Sequence, residues 1–131
     1  MARGRIHHIG ISVGNAEVSR TAFYSPVLQF LGYRLVEGSA GISFWRDSEG
    51  GPTLHLVQTE GGVRPPDNDH LAFAVESRAR VNELFGRLSE LSIEVASPPA
   101  EYPNFGRGHY ALFFRDPDER LFEVLHRPSP L

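Results

Sequence analysis

The chain has 131 residues, a formal net charge of −3 and no cysteine, so one soluble domain with a real core is expected. Disulfides, zinc–thiolate sites and cysteine nucleophiles are excluded. Its arginines are isolated rather than clustered, and it has neither a signal-peptide apolar stretch nor an apolar run near the length of a membrane span. No nucleic-acid or membrane partner is therefore expected, and cytoplasmic residence is the default reading.

Ile6–Val13 reads as the first strand, ended by Gly14-Asn15. Alternation puts Ile9, Ile11 and Val13 on one face, with His7 among them as a structural residue. His8, Gly10 and Ser12 take the other face, where one imidazole stands among small residues with room beside it. Asn15 is positioned to cap a helix through Val18, Ala22 and Phe23, with Glu17 in its first turn. Pro26 is expected to block simple continuation by disfavouring α geometry at Ser25, and to start a fresh turn that Gly32 closes. Tyr33–Glu37, Ile42–Arg46 and Thr53–Gln58 read as antiparallel strands joined at Gly38–Gly41 and Asp47–Pro52. Residues 60–68, rich in glycine and proline, read as a linker.

The order then repeats. His70–Val75 matches His8–Val13 position by position, 62 residues on, again with a histidine sharing its face with small residues, Ala72 and Ala74. Ser77 can cap a helix whose Val81, Leu84, Phe85, Leu88 and Leu91 share one face. Ile93–Ala96 reads as a short strand, and Ser97–Gly108 as a long loop with three prolines. His109–Phe114 and Leu121–His126 read as a hairpin around Asp116-Pro117-Asp118, followed by a loose tail, Arg127–Leu131. Phe113-Phe114-Arg115-Asp116 repeats Phe44-Trp45-Arg46-Asp47, with Trp45 and Phe114 read as core. Glu123 stands where His55 stands in the first copy. Each half therefore carries one potential ligand on its first strand and one on its last. The expected fold class is α+β: two tandem βαβββ modules, about 5–59 and 69–126, in a single domain spanning 1–131.

This doubled order resembles the vicinal oxygen chelate superfamily, the glyoxalase / bleomycin-resistance / extradiol-dioxygenase fold. His8-Ile9-Gly10-Ile11, Phe23-Tyr24, Leu31-Gly32, Phe114-Arg115-Asp116-Pro117-Asp118 and Phe122-Glu123-Val124 carry the likeness, which spans Ile6 to His126. One departure is Glu119, where family turns often have glycine. The resemblance implies that His8, His55, His70 and Glu123 are metal ligands, and that Glu123 and His55 are catalytic. Three imidazoles and a carboxylate suit a divalent ion such as zinc, nickel, iron(II), cobalt or manganese. His8, His70 and Glu123 alone make a 2-His-1-carboxylate set that leaves adjacent positions open for two substrate oxygens. His55 can complete the sphere or act as a base.

A lone strand histidine is usually a satisfied surface or core residue; four donors at repeat-equivalent positions are a different matter. His109, which alternates with Ala111 and Phe113, is a candidate substrate contact, as are Tyr102, Phe105 and Arg107 in the long loop. His126 faces away from Glu123 and reads as a surface residue. The expected activity is that of a metal-dependent enzyme of the lactoylglutathione lyase-like group, acting on a small substrate with vicinal oxygens. Isomerase or lyase chemistry is the first choice, thiol transfer the second and extradiol-type dioxygenation the third. The alternative is a bleomycin-resistance-type binding protein. Exposed sheet edges point to a homodimer.

Overall fold

The alternating faces read in the sequence become two four-stranded sheets, each with one face beneath helix and the other open within its unit. The computed structural model describes residues 4–39, 41–61, 63 and 69–128. The chain divides into two compact units, residues 1–64 and 65–131. Most of the expected linker, the extreme N-terminus, Ala40 and the last three residues of the tail lie outside the described residues.

In the first unit, β1 (His8–Val13) is followed by helical segments α1 (Ala16–Ser19) and α2 (Ser25–Phe30), then β2 (Tyr33–Ser39), β3 (Ile42–Asp47) and β4 (Thr53–Gln58). The strand order is β1-β4-β3-β2, with β1 parallel to β4 and the other pairs antiparallel. The second unit repeats this with β5 (His70–Ala74), α3 (Arg78–Glu90), β6 (Val95–Glu101), β7 (Tyr110–Arg115) and β8 (Leu121–His126), in the order β5-β8-β7-β6. Ile11, Val13, Trp45, Leu54 and Leu56 are buried in the first unit with Phe23, Tyr24, Val27 and Leu28 of its helix. Phe114, Phe122 and Val124 are buried in the second with Val81, Leu84 and Leu88 of α3. Each fully buried side chain of this kind is worth roughly 1.5–3 kcal/mol. Both helix starts are capped as expected: Asn15 Oδ1 accepts from the Val18 N–H, and Ser77 Oγ from the Arg80 N–H.

Two expectations about these elements are corrected. The first helix does not stop before Pro26. Arg20–Tyr24 form a π-helical turn, and Ser25, with φ −61° and ψ −55°, keeps α geometry while its N–H donates to the Arg20 carbonyl. The extra residue in that turn places Pro26 at the start of α2, where a missing N–H breaks no bond the helix needs. The second correction is β6, which begins at Val95 and runs through Pro98-Pro99 to Glu101, into the stretch expected to be loop. It is an edge strand, and its register with β7 shifts on both sides of Ser97, so neither proline has to donate to a ladder. The hairpin around Asp116-Pro117-Asp118 forms as expected. Glu119 takes the place of glycine by adopting φ +66°. Asp116 Oδ1 accepts from the Asp118 and Arg120 N–H groups, and the Arg120 guanidinium donates to its Oδ2 at 2.9 Å.

Candidate functional site

Two donors meet on the open face of the first sheet. In the β1–β4 register, His8 lies opposite Thr53 and Gly10 opposite His55. The β1 exposure pattern agrees with the alternation: Ile11 and Val13 are buried, whereas His8, Gly10 and Ser12 are exposed. The His8 and His55 rings stack with centroids 4.4 Å apart and planes 7° from parallel, and Phe44 presents its ring at 71° to His55, 4.5 Å away. A Cβ on Gly10 would meet nothing within 4 Å, so the strand leaves open space beside the pair. The Thr53 hydroxyl lies 2.9 Å from His55 Nε2. Burial, then the neighbouring His8 and His7, hold the His55 pKa below the ordinary 6.5.

His7 does not take the buried face that strand parity assigned it. The strand begins only at His8, so His7 is free of the alternation; it is exposed, with Nδ1 3.0 Å from His8 Nδ1. Its carbonyl still accepts from the Thr53 N–H. His7 also helps line a cavity of about 630 Å³ with Arg5, Val36, Phe44, Arg46 and His55.

The second unit reproduces the donor placement. His70 lies opposite Leu121 and Ala72 opposite Glu123. In both units, therefore, the first-strand donor stands two residues before the small residue that faces the last-strand donor. His70 Nε2 is 3.1 Å from Glu123 Oε1. At that separation the ring nitrogen and the carboxylate oxygen are hydrogen-bonded. The other carboxylate oxygen, Oε2, lies 2.6 Å from His109 Nε2. His109 and Glu123 are each only 4% exposed. Among the described residues, no group of three or more His, Asp or Glu side chains is arranged to hold an ion.

The long-loop residues separate. Tyr102 and Phe105 stack with centroids 5.4 Å apart; Phe105 meets His109 edge-on at 5.5 Å, and Tyr102 meets Phe113 at 5.5 Å. Arg107 is exposed and is not part of this cluster. His126 is half-buried rather than on the surface, its Nδ1 3.0 Å from the Val75 carbonyl oxygen. Arg127, expected to belong to a loose tail, donates from Nε to His109 Nδ1 at 3.0 Å and from Nη2 to the Phe105 carbonyl at 2.8 Å. No periodicity marks a residue just past a strand, so only the fold reveals it.

The family model of the Glyoxalase/Bleomycin resistance protein/Dioxygenase superfamily matches residues 5–124. The chain belongs to that superfamily. Among curated proteins it is 31% identical over 128 residues to YqjT of Bacillus subtilis (strain 168), covering 92% of this chain and 97% of that one. Among solved structures, a glyoxalase-like protein from Bacillus halodurans is 28% identical with a TM-score of 0.79, covering 95% of this chain and 97% of the other. A glyoxalase-related enzyme from Fulvimarina pelagi, 22% identical over 96% of this chain and 90% of its own, has a TM-score of 0.77 and shares the fold. The fosfomycin resistance protein FosX of Listeria monocytogenes does likewise, 22% identical with a TM-score of 0.74, covering 97% of this chain and 95% of that one. Divalent metals are common in the superfamily, and no helix among the described residues is long and apolar enough to cross a membrane.

Proposed function

We propose that the protein is a metal-dependent enzyme of the lactoylglutathione lyase-like group, acting on a small substrate with vicinal oxygens. The observation that carries this reading is the repeated register, which sets His8 and His55, and again His70 and Glu123, on one face across a glycine or an alanine. His8, His70 and Glu123 would hold a divalent ion (zinc, nickel, iron(II), cobalt or manganese), and their chemistry suits it. When bound, the ion would supply Lewis acidity to two adjacent substrate oxygens. His55 would complete the sphere or carry a proton; its lowered pKa keeps the ring neutral at neutral pH, as either role requires. Glu123 would offer Oε1, because His109 engages Oε2. Isomerase or lyase chemistry is favoured, then thiol transfer, then dioxygenation. Tyr102 and Phe105 would form an aromatic wall toward substrate.

A second reading has an observation in its favour. No three-donor group stands assembled among the described residues, and a cavity of about 630 Å³ lies in the first unit. A metal-free small-molecule binder of the bleomycin-resistance type fits those two facts. Metal analysis and calorimetric titration of protein purified without a histidine tag separate the readings. About one divalent ion per site, with turnover abolished by chelation and restored by the ion, supports the enzyme. No bound metal and no uptake of added zinc, nickel, cobalt, manganese or iron(II) overturns it. The homodimer belongs to the same proposal, supported by the exposed Leu35, Val36, Ile42 and Val57 of the first sheet.

A further inference from the structure

We infer that Arg127 and His109 are positioning residues: the guanidinium holds His109 as its Nε2–H tautomer, and His109 in turn fixes which oxygen of Glu123 faces His70. The part of this inference that concerns a cation rests on the metal reading above; the tautomer part does not. An arginine side chain only donates. Arg127 Nε–H points at His109 Nδ1 from 3.0 Å, so Nδ1 must offer its lone pair and the ring proton sits on Nε2. That Nε2–H then donates to Glu123 Oε2 across 2.6 Å. Charge-assisted bonds of this length are strong, and near-complete burial keeps water from competing. Oε2 is thereby held, and Oε1 is turned to the side where His70 Nε2 stands 3.1 Å away. Carboxylates and histidines at ion sites are commonly oriented in this way by a further layer of hydrogen bonds.

A second observation shows that the chain makes room for the guanidinium. At Gly106, with φ +147°, an added Cβ would meet Arg127 Nη1 at 2.9 Å and Cζ at 3.1 Å. Arg127 Nη2 also donates to the Phe105 carbonyl, so the guanidinium is gripped by the loop on one side and by the imidazole on the other. A free tail would not need that clearance. The inferred order is Arg127, His109, Glu123, with each group setting the orientation of the next.

The test combines nitrogen-15 imidazole NMR with metal calorimetry on the full-length, tag-free protein. In the wild type, His109 should be the Nε2–H tautomer. In Arg127→Leu, with the donor to Nδ1 removed, the His109 ring is no longer held from behind, and zinc affinity should fall about 10–100-fold. His109→Gln should keep affinity within a few-fold, because a glutamine amide can still donate to Oε2; His109→Leu should lose it. Circular dichroism and melting of each variant separate misfolding from loss of orientation, and the Gln/Leu contrast at His109 is not one that packing alone would produce. An Nδ1–H tautomer in the wild type, or wild-type zinc affinity in folded Arg127→Leu, overturns the inference. Equal zinc affinity in His109→Leu and wild type overturns it as well. If the wild type takes up no metal, the metal reading fails by itself, and the tautomer result alone decides this inference.

Discussion

The His8 and His55 rings lie face to face, 4.4 Å between centroids, although 47 residues separate them in the chain. Burial disfavours a charged His55, and a proton on the neighbouring His8, then on His7, adds to the penalty. His55 should therefore titrate below 6.5 in the metal-free protein. The unfolded chain binds a proton there at higher pH than the folded chain does. The stability associated with a neutral His55 is thus fully present above about pH 6.5 and is lost as pH falls from there through the folded pKa. Ring-proton NMR against pH measures the shift, and denaturant melts from pH 7.5 to 5 measure its consequence. A His55 pKa at or above 6.5 would overturn this prediction.

His7 and His8 should respond differently to alanine. His8→Ala removes a proposed ligand and should abolish most metal binding. His7→Ala removes only the partner of His8 Nδ1, so affinity should fall about tenfold. Metal at about 100 times its dissociation constant should stabilise the wild type by roughly 2.7 kcal/mol. That corresponds to a melting-temperature rise of several degrees for a domain of this size, on a scale of roughly 2–8 °C per kcal/mol. His7→Ala should keep about half of the rise and His8→Ala little of it. Equal losses in the two variants would make His7 a ligand in its own right.

Alternation and repetition made much of this legible. The faces of β1, β4, β5 and β8 follow from period-2 patterning, and Trp45 and Phe114 are core, 1% and 0% exposed. His7 escaped because parity applies only inside a strand, and the strand starts one residue later. Pro98-Pro99 and Pro26 argued against regular structure, but an edge strand and a π turn each spare the missing donor. Arg127 and the buried side of His109 escaped because hydrogen bonds between a loop, a strand and a chain end leave no pattern in one dimension.

Glu119 is held at φ +66°, where a side chain is strained and glycine is not. Glu119→Gly should stabilise the protein by about 0.5–1 kcal/mol, the strain relieved less the extra backbone entropy of the unfolded glycine. The Asp116 bonds to Asp118, Glu119 and Arg120 use backbone N–H groups that glycine retains at position 119. Thermal melts at one pH test this, and a fall in melting temperature would show that the Glu119 side chain contributes more than its strain costs.

Oligomeric state is open to a direct measurement. Ile42 and Val57 are register partners on the open face of the first sheet, 37% and 39% exposed, and Leu35 and Val36 of edge strand β2 are 42% and 48% exposed. Multi-angle light scattering at micromolar concentration should return about twice the 14.6 kDa chain mass. Replacing Ile42 and Val57 together with lysine should weaken association without touching His8 or His55. A wild-type protein that is monomeric at that concentration removes the dimer proposal.

Two glycines make opposite predictions, and together they test where the chain needs empty space for something it binds. Gly106, at φ +147°, has the Arg127 guanidinium 2.9 Å from the position of an added Cβ, so Gly106→Ala must both strain the backbone and push the arginine away. It should destabilise by about 1–3 kcal/mol. Gly10 sits in β1 without positive φ, and an added Cβ meets nothing within 4 Å. A β-branched residue suits a strand better than glycine does, so Gly10→Val should leave the melting temperature unchanged or raise it. Its side chain would nevertheless rise on the open face beside His8 and across from His55, in space the proposed ion and substrate oxygens would use. Gly10→Val should therefore be folded, stable and deficient in metal binding by at least tenfold. Wild-type metal affinity in a well-folded Gly10→Val protein would mean that the space over Gly10 is not where the ion sits, and would move the proposed centre off this strand.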